Sequence, residues 1–108
     1  MLVQKKMIIS RLFDFDPSMM AFLFDPIDSV YLRADPDLIL FDSWELSPEK
    51  QLMVRAALDI WSNSGNLFLW EISNGLDQDN IFRVYSAVTT YKSLQDENSD
   101  FPGLTNEQ

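Results

Sequence analysis

The side chains of this chain that could do chemistry are almost all carboxylates. Asp14 and Asp16 stand two residues apart, Asp25 and Asp28 flank a turn, and Asp35 and Asp37 bracket Pro36. Close acid pairs hold hard cations such as Mg²⁺ or Ca²⁺, or divide general-acid and general-base roles between them. Each pair also has a simpler reading. Asp16-Pro17, Asp25-Pro26 and Asp35-Pro36 are Asp-Pro steps, in which Asp caps a helix and Pro fits its first position. The chain is also short for the cleft of a two-carboxylate hydrolase. No catalytic residue, metal ligand or cofactor site is assigned from these acids.

The chain contains no His and no Cys. That removes the Ser–His and Cys–His dyads, thiolate sites, disulfides and nearly all zinc and haem ligation. The expectation is a protein that is not an enzyme, with a metal-dependent carboxylate enzyme as the one exception.

Three further patterns have the outline of functional motifs. Residues 60–71 have the outline of an EF-hand loop, with Gly65 at the sixth position and Glu71 at the twelfth. Its first position is Ile60, where a carboxylate must ligate, so a helix stop at Gly65 is the preferred reading. Ser47 and Lys50 fit the Ser-x-x-Lys pattern of serine acyl transfer. The partner motifs of that chemistry are missing, and Ser47 reads as a helix cap. Residues 67–91 have a helix-turn-helix rhythm, but Arg83 and Lys92 are too few to read DNA.

Charge is the strongest signal. The net charge is −9, and residues 12–49 carry nine acids against Arg33 alone. Phosphate backbones repel such a surface, so neither nucleic acid nor an anionic membrane is an expected direct partner. The same acids attract a basic protein and speed its encounter. They are interleaved with Phe13, Phe15, Phe22, Phe24, Tyr31, Phe41 and Trp44. Asp14, Asp16, Asp25, Asp28, Asp35, Asp37, Asp42, Trp44 and Glu45 are therefore the candidate partner-binding residues.

The elements that must position these residues read as an α+β fold. Residues 7–15 alternate imperfectly through Met7, Ile9, Phe13 and Phe15, and 29–34 through Val30, Leu32 and Ala34. The expectation is a small two-stranded antiparallel sheet packed on three or more helices, with an α-rich C-terminal half. Short helices are expected after Asp16-Pro17 and Asp35-Pro36. Ser47-Pro48-Glu49 starts a helix to Ser62, Trp70 to Leu76 forms a short helix, and Asp77 caps a last helix over 78–94. At 108 residues, 46% of them hydrophobic, the chain has the material for one core. Residues 1–95 are expected to form a single compact domain and 96–108 an acidic, disordered tail. The expected core holds Ile8 or Ile9, Phe13, Leu23, Val30, Leu32, Leu52, Met53, Ala56, Ile60, Leu69, Ile72, Phe82, Tyr85 and Val88. Trp44, Trp61 and Trp70 are core residues or interface anchors.

Neither a signal-peptide run nor a membrane-length apolar stretch is present in the sequence, so a cytoplasmic, unanchored protein is expected. The stretch from Leu46 to Val88 has the character of small bacterial and phage domains, without a motif specific enough to assign a family. The leading expectation is a small acidic protein-binding module. Its sharper form is a DNA-mimicking inhibitor of a nucleic-acid-binding protein, of the kind phages direct at host defence. The alternative is a structural or homo-oligomerising domain with an incidental acidic surface.

Overall fold

The computed structural model describes residues 2–25 and 30–98. Among them six helices follow one another: α1 (Leu2–Leu12), α2 (Ser18–Leu23), α3 (Pro36–Ser43), α4 (Pro48–Ser62), α5 (Leu69–Gly75) and α6 (Gln78–Asn98). The fold is all-α, and the expected α+β class and its sheet are corrected. Residues 7–12 belong to α1. Its apolar residues Ile8, Ile9, Leu12 and the following Phe13 recur at one and four, and all four are buried. A short apolar run satisfies both periods, and the helical one wins because it places four side chains in the core. Of the second expected strand, Ser29 lies outside the described residues, and among the described ones only Leu32 pairs, in a single antiparallel bridge with Phe24.

The helical starts expected in the second half are found where the capping chemistry puts them. Ser47 Oγ accepts from the Lys50 amide at 3.4 Å, with Pro48 in the first helical position and Glu49 in the first turn. Asp77 Oδ1 accepts from the Asn80 amide at 2.8 Å and caps α6. α4 stops at Asn63, which adopts a left-handed conformation at φ 56°. The expected stop, Gly65, has another duty: it passes so close to the Arg55 carbonyl of α4 that a Cβ there would collide with it.

α4 is the central helix. It buries Met53, Val54, Ala56, Ala57, Leu58 and Ile60, which leaves little of its circumference for solvent. It packs on α1, α3, α5 and α6, and α1 lies along α6. Ile8, Ile9, Phe13, Leu23, Met53, Ala56 and Ile60 are buried as expected, and Leu32, Leu52 and Ile72 pack half-buried against them.

α6 is rotated from its expected phase. Phe82, Tyr85 and Val88 are exposed, while Asn80, Val84 and Ala87 face inward. A chain of polar contacts sets this rotation. Glu49 Oε2 accepts from the Asp77 amide at 2.7 Å and from Asn80 Nδ2 at 2.8 Å. Arg83 Nη1 donates to Asn80 Oδ1 at 2.9 Å, and Arg83 Nε donates to Asp14 at 2.6 Å. A buried amide with both ends bonded holds a helix in one register, because rotation would strand those groups. Leu69 is likewise exposed rather than in the core. α6 continues to Asn98; the remainder of the expected tail, 99–108, lies outside the described residues.

Candidate functional site

The acidic segment divides into acids that hold the fold together and acids that face outward. Asp16 pairs with Lys50 of α4 at 2.8 Å and accepts from Ser18 Oγ. Those two partners hold its carboxyl below the ordinary aspartate range. Asp14 pairs with Arg83 of α6. Asp42 pairs with Arg33 at 3.0 Å, and the same guanidinium lies 5.0 Å from the Phe22 ring. Asp25 is half-buried beside the Phe24–Leu32 bridge, its amide donating to the Tyr31 carbonyl. Asp28 lies outside the described residues.

Five of the nine candidate residues lie on α3 or at its two ends: Asp35, Asp37, Asp42, Trp44 and Glu45. All five are exposed. α3 buries Ile39 and Ser43, packs Leu40 half-buried against the core, and turns Asp37, Leu38, Phe41 and Asp42 outward. Trp44 is 78% exposed and Phe41 72%. Leu38 is exposed with them, at three-residue spacing, so the three form one stripe. Asp37, Phe41 and Glu45 follow each other at four. The outer surface thus sets three large apolar side chains among four acids, of which Asp42 is paired with Arg33.

Leu38 was missed by sequence reasoning, and Phe41 was counted only as one aromatic among seven. A strict amphipathic test would have marked them. A short helix with Leu38, Ile39, Leu40 and Phe41 in succession cannot bury all four against one neighbour. Of the other interleaved aromatics, Phe13 and Phe24 are core residues and Phe22 is half-buried.

The backbone at the end of this face is tied to α4. Gln51 Nε2 of α4 donates to the Leu46 carbonyl at 2.8 Å and to the Trp44 carbonyl at 3.4 Å. Ser43 Oγ donates to the Leu40 carbonyl at 2.6 Å. An exposed Trp on an anchored backbone is a pre-organised contact, since little ordering remains to be done on binding.

The loop with an EF-hand outline is closed by the protein's own groups. Asp59 Oδ1 accepts from the amides of Gly65 (2.8 Å) and Asn66 (3.2 Å), and Oδ2 accepts from that of Leu67 (3.1 Å). The Arg55 guanidinium donates to the carbonyls of Gly65 and Asn66 and to both oxygens of Glu71. A cation already sits among the oxygens a metal would need. Arg55, with the Phe68 amide, holds the Glu71 carboxyl below the ordinary glutamate range. No group of three or more acidic metal-ligating side chains occurs among the described residues.

A groove of about 220 Å³ runs between α4, residues 67–72 and α6. Ile60, Leu67, Ile72, Val84 and Val88 line it, with Asp59 and Tyr91 its ionisable groups. Both Asp59 oxygens are already engaged. Among the described residues no helix is long and apolar enough to cross a membrane. The chain matches no known protein family, no curated protein and no solved structure.

Proposed function

We propose that the protein is a binding module whose α3 face docks on a basic surface of another protein. The observation that carries this reading is the outward stripe Leu38, Phe41 and Trp44 set among Asp35, Asp37 and Glu45. Large apolar side chains supply the buried centre of an interface, and Trp is enriched among the residues that dominate binding energy. The surrounding acids select a basic partner and steer it in. The stripe fits contact with protein better than contact with nucleic acid, whose phosphates the acids repel.

The reading stays at protein binding and does not extend to nucleic-acid mimicry. A mimic presents a row of free carboxylates. Asp14, Asp16 and Asp42 are each neutralised by a cation of the same chain. What α3 offers is an apolar anchor with an acidic rim.

The test is affinity capture by the immobilised chain at two salt concentrations. The wild type is compared with a variant carrying Asp35→Asn, Asp37→Asn and Glu45→Gln. One basic protein held by the wild type at low salt, and held several-fold less by the variant, is expected. Capture equal for the two proteins, or unchanged by salt, contradicts the electrostatic part.

A further inference from the structure

We infer that the groove between α4, residues 67–72 and α6 is a ligand site, and that its ligand is a small protonated arylalkylamine. The groove holds about 220 Å³. An aliphatic cavity of about 150 Å³ takes up benzene, so this one has room for a single ring on a short alkyl chain. Ile60 and Val84 are its buried wall, and Leu67 and Ile72 line it half-buried. Val88 also lines it and is 53% exposed, so the groove opens to solvent there.

Charge selects the ligand. Asp59 is the carboxylate of the lining, and its three bonds come from the backbone amides of Gly65, Asn66 and Leu67. Amides bring no positive charge, and among the described residues no Lys or Arg pairs with Asp59. Arg55, one turn back on α4, is committed to Glu71 and two loop carbonyls. Lys5 is committed to the Trp61 carbonyl at 2.7 Å. A carboxylate offers about four acceptor positions, so Oδ2, with one amide, keeps room for a further donor. An ammonium group fills that position and balances the charge. The Tyr91 ring, also in the lining, already attracts the Lys5 ammonium at 5.8 Å, and such rings favour cations.

Other ligand classes fit less well. An anion is repelled by Asp59. A neutral apolar molecule displaces water from the carboxylate and returns no hydrogen bond. A hard metal cation needs several oxygens, and the rest of the lining is aliphatic apart from Tyr91. A Lys side chain of another protein brings the ammonium without the ring and leaves the slot part-filled. The arylalkylamine alone uses both the apolar walls and the unbalanced charge.

The test is titration of the full chain with 2-phenylethylamine, followed by the methyl NMR signals of Ala56, Ile60, Leu67, Val84 and Val88. Saturable shifts at millimolar amine, confined to these methyls, are expected. In the same wild-type protein, 2-phenylethanol and butylamine are each expected to bind about 10-fold or more weakly, and phenylacetate not at all. Asp59→Asn is expected to lose the preference for amine over alcohol. Because Asp59 also ties the loop, Val88→Trp gives a second reading: it occludes the groove from an exposed position and is expected to weaken the amine about 10-fold or more. Absence of saturable shifts overturns the inference. So does an alcohol or butylamine that binds as tightly as the amine, or an amine that binds Val88→Trp unchanged. Shifts centred on the acids of α3 instead would mark general attraction to a chain of net charge −9 and would also overturn it. The α3 face takes no part in this site, so neither result bears on the proposed function.

Discussion

Arg55 bonds four oxygens drawn from the loop after α4 and from α5. It joins three consecutive pieces of the chain through one planar group, which a Lys would not do with the same geometry. Arg55→Met keeps the apolar stem and removes the donors. It is expected to lower the melting temperature by roughly 10 °C, since two loop carbonyls and a carboxylate lose their partner; calorimetry checks it. The carboxyls of Glu71 and Asp16 titrate below their ordinary values of 4.5 and 3.8. Their folded-state pKa is the lower one, so their contribution is complete above the ordinary carboxylate range. It is lost as pH falls through the folded values. Thermal stability is therefore expected to be flat from pH 7 to about 5 with respect to these groups. Below that it falls, and less steeply in Glu71→Gln than in the wild type. An equally steep acid limb in the variant would contradict the assignment. The sequence made these acids visible as charge, but not their partners: Asp14 meets Arg83 across 69 positions. Such pairing follows from helix packing, which no local spacing encodes.

At the scale of elements, the helices legible in sequence were those with punctuation. Ser47-Pro48 and Asp35-Pro36 each mark the start of a helix within a residue, and α4 ends at Ser62 as expected. α1 carries no capping motif in the described residues, and its apolar run fitted a strand equally well over a few residues. α6 was found but turned the wrong way, because its apolar residues cover more than one side. Asn80, a polar residue, marks the inward face, and its buried bonds to Glu49 and Arg83 were not legible. The rotation has a direct consequence for stability. Val84→Ala is expected to cost about 2 kcal/mol, from two lost methyl groups and the cavity they leave. Phe82→Ala, although it removes a larger side chain, is expected to cost under about 0.5 kcal/mol in dilute solution. Urea unfolding of both proteins checks the order. A larger loss at Phe82 would restore the phase read from sequence.

Over the whole molecule, two exposed apolar stripes differ in the charge around them. α3 presents Trp44, Phe41 and Leu38 among acids, and the exposed part of α6 presents Phe82, Tyr85 and Val88 with Asp79 as its one charge before Thr89. The charge excess of residues 12–49 was legible by counting. Its division between internal ion pairs and outward acids was not, because the cations that neutralise Asp14 and Asp16 come from α6 and α4. Partner binding through α3 is expected to weaken between about 50 and 300 mM salt as the acids are screened.

The central claim is that α3 is a binding face anchored by Trp44, and the most direct test is the equilibrium affinity of wild type and Trp44→Ala for the captured basic protein, by isothermal titration calorimetry. Trp44 is exposed and its side chain contributes little to the core, so the variant is expected to keep its melting temperature. A loss of affinity of about 30-fold or more, the effect of removing a dominant interface residue, is the outcome the docking geometry requires. Unchanged affinity in a fully folded variant would contradict it and leave the acids of α3 as solvated surface.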